Sequence, residues 1–326
     1  MSPPPRLPPG WSPDWQAAPP LVRRLADPAG ATALLAPLLS ELQPLRVRDV
    51  SPLREHAGSR WTLRLSACSG GEERPLVAKV YARERPDVAR TLAALRRGGL
   101  GGPQEVPAPL LYVPGWRLLL VEEAPGVPAR DWLRRGEPGV GERAAGWLAA
   151  LHGSGVPLPP VYRMRDPLPL ARRWAGRLAE GAPPLGEPAR RLLARLELSR
   201  PPWPPVPHLI HGDFVVSHVF LTPARTTVID WDSWGVGDPA QDAGRFLASL
   251  WHLAARDPAL TARVAGAAEA FARGYREAVP AARHTLPFYE AWACLRKAAR
   301  LAAKGKPGRT AHAAALLAAG ERALDA

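Results

Sequence analysis

The sequence is short of several things that would settle its class at once. Only two cysteines occur in 326 residues, Cys68 and Cys294, which excludes a disulfide framework and any zinc module built on cysteine pairs. No stretch approaches the roughly 20 consecutive apolar residues of a membrane span, and the opening MSPPPRLPPG has no apolar leader core. A globular, cytoplasmic protein with no membrane partner is therefore expected. Concentrated positive charge is missing too. The net charge of +13 is spread as about +5 over residues 1–139, +5 over 140–205 and +3 over 206–326, with no basic run longer than a doublet. Binding to nucleic acid needs clustered Lys and Arg, so no nucleic-acid partner is expected. Lysine itself is scarce, four among 43 basic residues.

What is present divides the chain. Residues 1–44 read as a Pro-rich arm, with Trp11 or Trp15 available to dock on the body, followed by a helical patch from about Pro20 to Leu42. Residues 45–124 read as a β-rich lobe: LRVRDV, RWTLRLSA and PLVAKVYA are strands separated by the turn-rich SPLREHAGS and CSGGEER, residues 86–97 are helical, and VPAPLLYV and RLLLVEE are two more strands. Beyond a break at APG, residues 125–326 turn helical, with helices expected near 140–152, 168–180, 188–198, 239–255, 258–278, 287–303 and 310–324. Asp27, Asp166, Asp238 and Asp257 each precede a proline. An acid at the N-cap with proline at the first helical position satisfies orphan amides and the helix dipole together. The fold class is thus α+β, a small antiparallel sheet joined to a mainly helical lobe.

One β island interrupts the helical lobe. In HLIHGDFVVSHVFL, residues 208–221, His211, Asp213 and His218 stand where a buried strand would prefer aliphatic side chains. HVFLT and TTVID read as a hairpin with a three-residue connection, Pro223, Ala224 and Arg225. Pairing Thr222 with Thr226 sets His218 opposite Asp230, with Asp213 at the same open end and Asp232 one alternation further on. Carboxylates so close raise each other's pKa unless a cation or a proton-transfer role offsets the repulsion. Oxygen donors with one or two imidazoles suit Mg²⁺ or Mn²⁺ better than zinc. The structural alternative has Asp213 capping a turn and the histidines satisfying backbone carbonyls.

HGDFVVSH followed by VIDWD resembles the aminoglycoside phosphotransferase and choline kinase family, a branch of the protein-kinase-like fold, whose pattern is H-x-D-x-x-x-x-N and then I-D-[FW]-[DE]. The resemblance spans about residues 45–300 and is strongest over 208–243. It implies a two-lobed kinase-like fold, ATP and Mg²⁺ as cofactors (Mn²⁺ as a variant), and a small hydroxylated molecule as partner. It further implies that Asp213 orients and deprotonates the acceptor hydroxyl, that His211 braces the catalytic loop, and that Asp230, with His218 and Asp232 beside it, binds the metal. His218 departs from the pattern by standing at the family's asparagine. Imidazole can ligate through one nitrogen but loses the amide's second function, donating back to the aspartate.

A kinase also needs a lysine on an interior strand for the nucleotide's phosphates. Lys79, in PLVAKVY, is the only lysine in the first 296 residues and interrupts an apolar strand; the alternative is a lysine on the solvent face of an edge strand. Glu84 or Asp87 is the expected acidic partner, Glu84 preferred. The phosphate-covering loop falls on SPLREHAGS, where Ser59 and nearby amides would contact phosphate, and adenine would bind backbone around Glu123 and Ala124. Asp238 and Asp242 read as helix-start acids, Gln241 completing a capping box with Asp238. His152 reads as an imidazolium complementing a helix C-terminus, and Trp231 and Trp234 as packing. The expected activity is phosphorylation of an alcohol group on a sugar, amino alcohol or aminoglycoside-like compound. A nucleotide-binding pseudokinase and a metal-dependent hydrolase remain as alternatives.

Overall fold

The computed structural model describes residues 18–56, 58–159, 164–203, 205–303 and 308–325; the expected Pro-rich arm with Trp11 and Trp15 lies outside them. The chain forms two compact units, one from residues up to Arg96 together with Val106–Ala124, the other from Arg97–Glu105 together with Pro125 onward.

The first unit begins with two short helices, α1 (Pro20–Ala26) and α2 (Pro28–Leu35), divided at Asp27, whose carboxylate accepts from the Gly30 N–H at 2.7 Å. The strands β1 (Leu45–His56), β2 (Arg60–Ser69) and β3 (Glu72–Tyr81) follow, and then helix α3 (Pro86–Arg97). Gln104–Glu105 (β4) leaves to pair in the second unit, after which β5 (Pro109–Val113) and β6 (Leu118–Glu122) complete an antiparallel sheet in the order β1-β2-β3-β6-β5. The expected loop over residues 51–59 is mostly strand. β1 continues to His56, opposite Arg60, with bulges after Val47 and Pro52; the ladder overrides the turn-rich composition.

One face of this sheet is closed by the two helices. Val22, Leu25 and Leu35 pack against Val47, Leu63, Leu65, Ala78, Val80 and Leu120. Strand side chains alternate between faces, so Lys79, between Ala78 and Val80, projects to the other face. There its neighbours across the ladder are Thr62 and Leu119, both buried. Because β3 is the central strand of five, Lys79 is not an edge residue.

In the second unit, β7 (Val127–Pro128) leads into α4 (Ala129–Arg135), a short helix that periodicity did not suggest and that ends at Gly136 with φ +79°. Helices α5 (Val140–His152), α6 (Pro167–Gly181) and α7 (Gly186–Leu198) precede four short strands, β8 (His208–Ile210), β9 (Val219–Leu221), β10 (Thr226–Val228) and β11 (Gly235–Gly237). Helices α8 (Ala240–Arg256), α9 (Thr261–Ala278), α10 (Leu286–Ala302) and α11 (Arg309–Ala323) end the chain. The strands make two small sheets, β4-β10-β9-β7 and β11-β8. Asp166 and Asp238 cap as the sequence suggests, accepting from the Leu168 and Ala240 N–H groups at 3.0 and 2.8 Å. Asp257 differs: it precedes a 3₁₀ turn, makes no side-chain cap and turns toward Arg134 at 4.0 Å. Cys68 and Cys294 are both free and buried. No helix among the described residues is long and apolar enough to cross a membrane.

Candidate active site

The segment that carries His211, Asp213 and His218 links β8 to β9 and is held from beneath by α8. Phe214 is its apolar anchor, fully buried and stacked on Trp147 at 5.6 Å, with Phe246 at 5.2 Å. Polar ties fix the backbone around it. Asp242, in the first turn of α8, accepts from the His211 N–H at 2.6 Å and the Gly212 N–H at 2.9 Å. One turn further, Arg245 donates to the Gly212 carbonyl, and Ser249 Oγ accepts from the Val216 N–H at 2.9 Å. Gly212 is required by geometry, since its φ is +80° and a Cβ there would meet the Ser233 carbonyl oxygen at 1.9 Å.

His211 is buried and its protonation follows from its partners. The Asp213 N–H donates to Nδ1 at 3.1 Å, so Nδ1 carries the lone pair and Nε2 carries the proton that it gives to the Ile229 carbonyl at 3.0 Å. Burial pushes the pKa down, keeping the ring neutral. For Asp242 burial opposes ionisation, but His152, His211 and Arg245 outweigh it and hold the carboxyl below its usual range. His152 does not complement the end of α5 as an imidazolium. It is buried between Asp242, 3.8 Å from Nε2, and the Tyr275 hydroxyl, 2.8 Å from Nδ1, and burial lowers its pKa. Asp242 is thus a positioning residue for the loop rather than the helix-start acid that its place in the sequence suggested.

The hairpin register differs by one residue from the expectation. Thr226 pairs with Leu221, and Val228 with Val219, leaving a four-residue connection from Thr222 to Arg225. It is closed by Thr222 N–H to the Arg225 carbonyl at 3.1 Å and Arg225 N–H to Thr222 Oγ1 at 2.9 Å; the threonine hydroxyl supplies turn chemistry that a three-residue reading omits. His218 therefore faces Ile229, whose N–H donates to the His218 carbonyl at 3.0 Å. Asp230 still reaches the cluster because its backbone turns left-handed, φ +68° and ψ +58°. For a non-glycine residue that conformation is costly and points to a functional constraint.

Asp213, His218 and Asp230 come together, each offering a ligand atom within 4.8 Å of the others. His218 lies between the acids. Its Nδ1 donates to the Asp213 carbonyl at 2.9 Å and its Nε2 is 3.8 Å from Asp230 Oδ2. A carbonyl can only accept, so Nδ1 holds a proton, and Nε2 is the ring atom that faces Asp230. Asp232, in the 3₁₀ turn that follows, is outside this group. Trp231 packs, buried against His211 at 4.7 Å with its Nε1–H on the Val228 carbonyl; Trp234, beyond it, is half-buried.

Asp213 also borders a small pocket that sequence reasoning missed, lined by Arg245 from α8 and by Arg296, Lys297 and Arg300 from α10. Burial lowers the Lys297 pKa to about 8 and the Arg296 pKa to about 9; neighbouring cations add to the shift and Asp213 opposes it. A signal existed: Lys297 is one of four lysines in an arginine-using chain.

In the first unit, Lys79 is half-buried on β3. Glu84 accepts from the Tyr112 hydroxyl and, at 2.9 Å, from the Gly115 N–H, which lower its pKa in that order. Asp87 is bound by the Arg85 guanidinium at 2.9 Å. Ser59 is exposed after the β1–β2 turn, its N–H and hydroxyl both donating to the His56 carbonyl. The Glu123 N–H donates to the Pro75 carbonyl at 3.0 Å and its carboxylate pairs with Arg64 at 2.8 Å, raising the arginine pKa. Ala124 ends this unit.

The sequence profile of the phosphotransferase enzyme family matches residues 49–280. The chain belongs to that family. No curated protein matches the sequence, whereas solved structures of similar fold include members of this and related groups. A choline/ethanolamine kinase family protein from Mesorhizobium loti superposes with a TM-score of 0.59 at 19% identity, over 91% of this chain and 95% of that one. A thermostable mutant of aminoglycoside phosphotransferase APH(4)-Ia, in complex with ADP and hygromycin B, gives 0.60 at 18% identity, over 90% and 98%. Choline kinase from Cryptosporidium parvum gives 0.58 at 10%, over 90% and 95%. Likeness at these identities establishes the fold, the protein-kinase-like α+β class expected from the resemblance.

Proposed function

We propose that this phosphotransferase family member moves the terminal phosphoryl group of ATP to a hydroxyl of a small molecule. The observation that carries the reading is the convergence of Asp213, His218 and Asp230 within 4.8 Å on the β8–β9 loop and its hairpin. The donor set fits a small divalent cation. Two carboxylates offer hard oxygen atoms, and the orientation of His218 leaves Nε2 free to ligate. Asp230 and His218 would hold Mg²⁺ or Mn²⁺ beside Asp213, and the ion would neutralise charge on the phosphate oxygens.

The chain's own groups supply the remainder. Asp213 accepts the acceptor's hydroxyl proton at a carboxylate oxygen as the new O–P bond forms and the bond to the ADP oxygen breaks. Neutral His211 holds the Asp213 backbone, and Asp242 holds that of His211. Lys79 pairs with the nucleotide's phosphates, and the Glu123 carbonyl and Ala124 N–H are assigned to adenine. Ser59 adds a phosphate contact, and Glu84, bonded to Tyr112 and Gly115, is assigned no role here.

ADP release across hydroxylated metabolites, with Mg²⁺ or Mn²⁺, tests the reading. Asp213→Asn is expected to lower kcat by roughly 10²–10⁴-fold while ATP still raises the melting temperature, and Lys79→Met to raise the KM for ATP. Nucleotide-free ester hydrolysis surviving Lys79→Met would instead identify a metal-dependent hydrolase. A second reading, nucleotide binding without transfer, draws on His218: Nδ1 is committed to the Asp213 backbone and lies 3.8 Å from its carboxylate, so residue 218 gives that carboxylate no hydrogen bond. ATP stabilisation with no ADP formed would support it.

A further inference from the structure

The pocket beside Asp213 carries cations other than Lys79, the one that the reading above assigns to the nucleotide. Ala293, Arg296, Lys297 and Arg300 fall on one face of α10, at the helical spacing of three and four residues, and Arg245 faces them from α8. Four cations thus meet two acids, Asp213 and the buried Asp242. Asp213 opposes the lowering of the Arg296 and Lys297 pKa values, and burial outweighs it at both. Arg245 is only 12% exposed and its Nε is buried without a hydrogen-bond partner among the described residues. Arg245 has Asp242 at 3.7 Å and Arg300 is exposed, whereas Arg296 and Lys297 are half-buried with no ion pair among the described residues. Half-buried cations that outnumber their acids are costly, and an anion seated among them offsets that cost through charge-assisted hydrogen bonds. The pocket is small, about 40 Å³, room for on the order of three waters at ~10–15 Å³ each. That is the scale of one charged group rather than of a sugar ring.

We propose that this pocket seats an anionic group of the acceptor, so that the substrate is a hydroxylated small molecule bearing a carboxylate or a phosphoryl group. The inference rests on the phosphotransferase reading above and narrows it. A polycationic acceptor such as an aminoglycoside is repelled at this position, and a neutral sugar leaves the cations unpaired.

The full-length protein, with ATP and Mg²⁺, is assayed for ADP release against four matched sets: neutral sugars and polyols, aminoglycosides, hydroxy acids, and sugar monophosphates. Turnover is expected with an anionic set, and which of the two responds separates carboxylate from phosphoryl recognition. Arg296→Gln and Lys297→Met are expected to raise the acceptor KM about 10–100-fold, with Lys297→Arg restoring most of the loss. Should a variant fail to fold, inorganic phosphate must inhibit the wild type in competition with the acceptor; no such competition overturns the proposal. Turnover confined to neutral or cationic acceptors overturns it while leaving the kinase reading intact. If ATP binds without turnover, calorimetric titration of the two anionic sets in the presence of ADP decides, saturable binding upholding the proposal and none refuting it. Failure to bind ATP at all removes the kinase reading and this one together.

Discussion

The β8–β9 loop and the β1–β2 turn are both expected near phosphate, yet they are built in opposite ways. The turn is held by its own hairpin ladder, by short-range bonds from Ser59 to His56 and by one further backbone bond, from the Ala82 N–H to the Ser59 carbonyl at 2.8 Å. The loop is held from outside, by three residues on one face of α8, Asp242, Arg245 and Ser249, that grip its backbone at His211, Gly212 and Val216. An externally gripped loop can hold an aspartate and a histidine at fixed positions with little regular structure of its own. A turn held mainly by its own ladder tolerates a side-chain change at its tip, because the ties made there are backbone bonds.

The contrast breaks most directly at Asp242. Asp242→Ala strands two buried N–H groups and leaves the Arg245 cation without its carboxylate, which is expected to cost about 3–5 kcal/mol. Urea unfolding measures the loss, and amide exchange should rise over residues 211–218 while residues 60–65 of β2 stay protected. Equal loosening of both segments would refute external gripping. The glycines offer a matched pair. Gly212 and Gly58 both have positive φ, +80° and +67°, but a Cβ at Gly212 would strike backbone and one at Gly58 would meet nothing within 4 Å. Gly58→Ala should cost only the left-handed conformation, about 1–2 kcal/mol, whereas Gly212→Ala adds about 1–3 kcal/mol of overpacking. The difference between their unfolding free energies is the quantity to measure.

How legible each segment was in the sequence follows from the same contrast. Helix starts marked by Asp27, Asp166 and Asp238 were readable because capping is local, a carboxylate meeting an amide two or three residues away. The trio Asp213, His218 and Asp230 was readable because ionisable side chains in an apolar run are conspicuous. Its register was not: whether Thr222 opens a three- or a four-residue turn depends on one hydroxyl hydrogen bond, and the left-handed turn at Asp230 compensates for the slip. Least visible was the cationic pocket, whose members lie some fifty positions apart on α8 and α10. Periodicity tells which residues share a face of one helix; it does not tell how two helices are rotated against each other.

The smallest effect is expected at the tip of the β1–β2 turn. Ser59 is exposed, and its hydroxyl bond to the His56 carbonyl at 3.1 Å duplicates the one its own N–H makes to the same oxygen at 2.8 Å. Losing the hydroxyl leaves that carbonyl satisfied, so Ser59→Ala should change stability by no more than about 0.5 kcal/mol. If the hydroxyl touches a phosphate, the KM for ATP should rise about 2- to 10-fold, the worth of one modest hydrogen bond, with kcat little altered. An unchanged KM would assign phosphate contact in this turn to backbone alone. A fall in kcat matching that of Asp213→Asn would mean that the turn, like the loop, is fixed by more than its ladder, and the opposition between the two segments would have to be given up.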